Sequence, residues 1–233
     1  MSITYLPVFI NRPTCRSSKE KGKKEIIMTF YDKNKTLLKL TYAGLMAALC
    51  YVGYAIFPAI NAGGTKIHLG NAFVVLGALL LGGLYGGLAG AVGLSLADIL
   101  GGFSASAPRT FICKLVIGLI VGLVAHKLAK LSHSHNKAYV VRWTVFSAVA
   151  GLGFNCVFEP SLKYLWYTIL TPNAEKAASA INALVAVTTY ATIINAVINS
   201  VIAVVVYLAL RPVLYRSGLL GEIDSPKTTS ANA

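Results

Sequence analysis

Between Lys66 and Thr110 the chain reads KIHLGNAFVVLGALLLGGLYGGLAGAVGLSLADILGGFSASAPRT. Two apolar runs are joined by Gly-Gly-Leu-Tyr-Gly-Gly. His68 and Asn71 stand where the first run begins, and Asp98, the only acid of the stretch, stands where the second ends. No water-soluble core needs this arrangement. It fits a bilayer, where each backbone polar group must be satisfied within a helix or a closed barrel, and where polar residues gather at one edge. Long uncharged runs continue from Thr36 to Leu210. A span takes about 20 apolar residues, so there is room for about six helices. They are expected near Leu37–Phe57, Ile67–Leu81, Leu84–Leu100, Thr110–Lys127, Val140–Tyr167 and Thr188–Leu210. The second and third are short, and their glycines allow irregular backbone buried in protein. Only 12% of residues are charged, against about 25% in soluble domains. The expected fold is therefore an all-α integral membrane protein, with about six transmembrane helices in one compact bundle.

The formal net charge is +13, which could indicate nucleic-acid binding, but its distribution argues for membrane orientation. Lys33, Lys35 and Lys39 precede the first helix, Lys127, Lys130, Lys137 and Arg142 flank the loop after the fourth, and Arg211 and Arg216 follow the last. The alternate loops hold only Lys66, Arg109 and Lys176. The positive-inside rule places both termini in the cytoplasm of a bacterial cell membrane protein.

Three segments are expected: a basic, disordered stretch 1–35, a six-helix substrate-binding domain 36–211 and a cytoplasmic tail 212–233. Lys24-Glu25, with purine-rich codons, lies just ahead of Met28, where a bacterial ribosome-binding sequence would sit. Translation from Met28 is one reading and a basic tail the other; a peptide mapped upstream of Met28 would exclude the first.

The polar residues of the last three helices fall into stripes. Thr110 and Lys114 are four apart in the fourth helix, Asn155, Glu159 and Lys163 follow the same spacing in the fifth, and Thr188, Thr192, Asn195 and Asn199 share a face of the sixth. Residues four apart stack on one side of a helix. At about 1.5 Å per residue, Lys114, Glu159, Asn195 and Asn199 all fall in the outer half of the membrane. A charge at the bilayer centre costs about 3 kcal/mol or more, so Lys114 and Glu159 should face inward. They form either a binding pocket, with the asparagines and threonines, or an ion pair that only fixes packing. Asn61-Ala62-Gly63-Gly64-Thr65 reads as a flexible outer loop leading to His68 and Asn71. His68 could bind ligand or make a helix-end hydrogen bond. Trp166 could anchor at the interface or, with Tyr167, stack on an aromatic ligand. Asp98 and Arg109 are expected to pin the Gly-Gly-Phe loop between them.

Other chemistry finds no support. Cys15, Cys50, Cys113 and Cys156 show no C-x-x-C pairing, and His126, His133 and His135 have no cysteine or carboxylate beside them, so no metal site is expected. There is no G-x-x-x-x-G-K-[ST] loop for ATP, no H-E-x-x-H helix and no catalytic triad order, so no enzyme is expected. Uphill transport would need a partner or an ion gradient.

The chain resembles the substrate-binding S component of energy-coupling factor (ECF) vitamin transporters over about Thr36 to Leu210. The resemblance rests on Ala43-Gly-Leu-Met-Ala47, Lys66-Ile-His-Leu-Gly-Asn71, the glycine-rich Leu81–Gly93 segment, Leu96-Ala-Asp-Ile-Leu100 and Ala107-Pro-Arg-Thr-Phe111, in that order. It implies six helices with both termini inside. It implies that Ala43 and Ala47 contact a transmembrane coupling subunit driven by two ATPase subunits; ATP is then used by the partners, and no cofactor belongs to this chain. It implies capture of a small vitamin from outside, with His68, Asn71, Lys114, Asn155, Glu159 and Asn195 in the site; Asn199 and Trp166 join them from the stripe and loop readings. One acid, one base and several amides suit a small polar heteroaromatic, such as hydroxymethylpyrimidine or pyridoxine. Two other classes compete. A proton-coupled secondary transporter using Glu159 should transport alone, and a scaffold should tolerate Glu159→Gln and Asn195→Ala.

Overall fold

The computed structural model describes residues 36–56, 60–62, 65–134, 136–170 and 177–216. The Met28 reading and most of the tail reading lie outside these residues. Lys39–Ala233 forms one compact unit, and the description is of that unit.

Six helices make the bundle. They are α1 (Thr36–Ala55), α2 (Gly70–Leu81), α3 (Gly83–Leu100), α4 (Ala107–Gly122), α5 (Lys137–Leu170) and α6 (Ala178–Arg216). Five are long and apolar enough to cross a membrane. A π-helical turn, Leu123–Leu128, extends α4. The expected loop ahead of α2 is in part a small antiparallel hairpin of β1 (Ile60–Ala62) and β2 (Thr65–Ile67), pairing Asn61 with Lys66. Backbone pairing there satisfies polar groups that a bare loop would leave to water.

α2 is the shortest and most central helix. Its 12 residues rise about 18 Å, short of the roughly 30 Å of a hydrocarbon core, and all but Phe73 are buried. Burial on every side explains why it reads as continuous apolar sequence without an amphipathic period. It packs against α3, α4 and α6.

Glycines set the spacing of α2, α3 and α4. A Cβ on Gly86 would lie 2.2 Å from the backbone nitrogen of Ala78, and one on Gly118 would lie 2.2 Å from the Cα of Gly87. Such backbone approach gives close van der Waals packing, which drives helix association in lipid. Gly82, at φ 90°, turns the chain between α2 and α3 with no linker.

The last helices outrun their sequence-based bounds. α6 begins at Ala178, ten positions before the expected Thr188, and α5 ends at Leu170. With 34 and 39 residues, both exceed the length of a span. At the opposite end, Arg211 donates to the carbonyls of Leu131 and Ser134 at 2.8 and 2.7 Å and ties α6 to the α4–α5 connection.

Candidate substrate-binding site

A cavity of about 530 Å³ opens where α3 ends, α4 begins and α5 ends. Its walls include His68, Asn71, Lys114, Glu159, Trp166 and Asn195. The three stripes therefore do meet, because α4, α5 and α6 each present one polar side to the same space.

Lys114 and Glu159 lie at its floor. Lys114 Nζ donates to Glu159 Oε2 at 3.3 Å, and Asn155 Nδ2 donates to the same oxygen at 2.8 Å. This is the only ion pair among the described residues. Asn155 does not line the cavity; it holds Glu159 from one helical turn below, the i, i+4 relation its stripe predicted. Glu159 Oε1 has no hydrogen-bond partner among the described residues. Lys163, the third member of the stripe, is turned away and donates to Thr188 Oγ1 at 2.6 Å.

The asparagines of α6 act on backbone. Asn195 accepts from the His68 N–H at 3.0 Å and donates to the Lys66 carbonyl at 2.8 Å. Asn199 accepts from the Ala72 N–H at 2.9 Å and donates to the His68 carbonyl at 3.0 Å. Together they clip the β2–α2 connection onto α6; the Ala72 N–H, in the first turn of α2, is shared with the Leu69 carbonyl at 3.0 Å. Asn195 still borders the cavity, whereas Asn199 lies below it.

That clip positions His68 and Asn71. His68 Nδ1 accepts from the Gly70 N–H at 3.1 Å, so the neutral ring carries its proton on Nε2. Its ring stands tilted against Tyr54, centroids 5.1 Å apart. Asn71 Oδ1 is buried without a hydrogen-bond partner in a residue that borders the cavity. A buried acceptor left unmet costs about 1–3 kcal/mol.

Asp98 pins the loop after α3, but not through Arg109. Its carboxylate accepts from Tyr54 and Ser106, each at 3.1 Å, and from Thr110, while its carbonyl accepts from the Phe103 N–H at 2.8 Å. Three hydroxyls replace the expected guanidinium because Arg109 points into the cavity wall instead. The sequence reading also missed Tyr54 and Phe103, whose rings lie 4.5 and 4.8 Å from Lys66 Nζ. Lys66 lies within β2 and Tyr54 near the end of α1, a proximity that no helical period reveals.

Away from the cavity, Ala43 and Ala47 are half-buried against the core. Gly44 and Ala48, between and beyond them, are exposed. His126 pairs with the Ala78 carbonyl at 3.0 Å, and the side chains of His133 and His135 lie outside the described residues.

Neither the curated proteins nor the solved structures compared with this chain gave a match. A model of the family described as the ECF-type riboflavin transporter S component matches residues 34–212, which takes in every residue lining the cavity and all six helices up to the last turn of α6. This multi-pass membrane protein belongs to that S-component family.

Proposed function

We propose that the chain captures a small, ring-bearing vitamin or vitamin precursor at the outer face of the cell membrane and hands it to an ATP-driven ECF module. One observation carries the reading: a polar cavity within a lipid-soluble bundle, holding an ion pair and a buried, unmet amide oxygen. About 530 Å³ falls within the 300–1,000 Å³ usual for small-molecule sites. Asn71 Oδ1 and Glu159 Oε1 would accept hydrogen bonds from the ligand, His68 Nε2 and Lys114 would donate, and the rings of Trp166 and Tyr167 would offer a stacking surface. Asn155, Asn195 and Asn199 would hold these groups in place. Riboflavin, which the family's name carries, is the first ligand to test, with hydroxymethylpyrimidine and pyridoxine beside it. In this reading α1 meets the coupling subunit through its small residues, Ala43, Gly44, Ala47 and Ala48.

A thermal-shift screen of the detergent-solubilised protein against water-soluble vitamins tests it. Binding to the native state at a thousandfold excess over Kd stabilises by about 4 kcal/mol, so one ring-bearing vitamin should raise Tm clearly. Flat Tm across the panel, with folded protein, would move the reading to a scaffold. Uptake that persists without ATPase subunits would move it to a proton-coupled carrier.

A further inference from the structure

Arg109 is 7% exposed and borders the cavity, yet its guanidinium has neither hydrogen bond nor ion pair among the described residues. Lys66 borders the same cavity, its ammonium held over Tyr54 and Phe103. Those rings attract the cation without neutralising it.

The nearby carboxylates are already committed. Asp98 accepts from three hydroxyls, and Glu159 takes Lys114 and Asn155 on one oxygen. The cavity wall thus carries three cations, Lys66, Arg109 and Lys114, against two carboxylates. The Arg109 nitrogens keep access to the cavity, and a cation set this deep in a membrane protein is costly without a counter-charge. A planar guanidinium suits a carboxylate or phosphate, which it can grip with two parallel hydrogen bonds. Surplus positive charge on the wall of a binding cavity is explained if the ligand brings the counter-charge.

We propose that Arg109, supported by Lys66, is an anion subsite of this cavity and that the transported molecule carries a carboxylate or a phosphate ester. The inference rests on the substrate-binding reading above and narrows its ligand class. It sets the expected substrate apart from neutral riboflavin, hydroxymethylpyrimidine and pyridoxine.

The test uses matched pairs on the purified full-length protein: nicotinate with nicotinamide, pyridoxine 5′-phosphate with pyridoxine, riboflavin 5′-phosphate with riboflavin. The charged member of the best pair should bind at least about tenfold more tightly, the scale of one charge-assisted hydrogen bond. Arg109→Gln should erase that ratio and leave the neutral member's affinity unchanged, and Arg109→Lys should keep part of it. A carboxylate hit and a phosphate hit separate the two ligand sources. Ligand-free Arg109→Gln should melt at or above the wild-type temperature, because the charge serves the ligand and not the fold. A neutral member that binds as well as its charged partner overturns the subsite and leaves the binding function standing. Arg109→Gln protein that melts lower without ligand, with the ratio intact, also overturns it. A hit confined to neutral vitamins outside the pairs overturns the subsite alone, and folded wild-type protein that binds neither any pair member nor any other vitamin of the panel overturns both readings.

Discussion

Lys114 and Glu159 meet at 3.3 Å in a place where either charge alone would be expensive. Two roles are separable by substitution. Glu159→Leu alone strands a buried ammonium and should cost about 3 kcal/mol. Lys114→Met combined with Glu159→Leu should return most of that stability, since apolar replacement of a buried pair is often neutral. Ligand affinity should stay lost in both. Affinity recovered in the double variant would make the pair a packing device only. Asn199 and Trp166 should split the other way. Asn199→Ala removes bonds to three backbone groups and should lower the ligand-free Tm sharply, whereas Trp166→Ala should weaken binding with little change in Tm. Parallel melting and binding curves read both. The convergence of these side chains was legible in four-residue spacing, because depth and face follow from helix geometry. Their bonds were not: Asn195 and Asn199 reach backbone more than 120 positions earlier in the chain, and spacing within one helix says nothing about that.

At the scale of elements, the glycines decide how near the helices come. Gly118→Ala places a methyl group against Gly87, where the backbones cannot part without opening α3 from α4. It should cost at least about 2 kcal/mol as overpacking. Gly153→Ala, exposed in α5 with nothing within 4 Å of the added carbon, should gain up to about 1 kcal/mol through helix propensity. Melting temperatures of the two variants measure this difference directly. Gly44 offers a contrasting case on α1. Its added carbon would also meet nothing, so Gly44→Leu should fold and bind ligand normally. If α1 docks on a coupling subunit, the same variant should abolish uptake in cells that hold the complete ECF module; full uptake would remove α1 from the interface. Helix number, order and the tight α2–α3 turn were legible from apolar runs and Gly-Gly pairs. The hairpin ahead of α2 was not, since Asn61–Thr65 has turn composition and its strands are three residues long. Nor was the early start of α6, because Ala178–Val187 is apolar enough to extend a helix but carries no cap or charge to mark its beginning.

For the whole molecule, the asymmetry of charge along the bundle carries the argument about orientation. Among the described residues, the cavity end holds Lys66 and Arg109, both lining the cavity, while Lys176 lies outside them. The far end holds Lys127, Lys130, Lys137, Arg142 and Arg211, and Arg211 is fixed there by two carbonyls. Short loops rich in lysine and arginine favour the cytoplasm, so the expected orientation opens the cavity outward, as the proposed capture from the medium requires. The native thiols permit a direct measurement: Cys50 and Cys113 are buried and Cys156 is partly so. With Cys15 replaced by serine, a cysteine at Ser104, on the exposed rim of the cavity, should react with a membrane-impermeant maleimide in intact cells. Saturating ligand should slow that reaction. A cysteine at Ala138, exposed at the start of α5, should react only after the membrane is opened. The opposite pattern would turn the bundle over: the cavity would then face the cytoplasm, and the protein would release a ligand from this site instead of capturing one there.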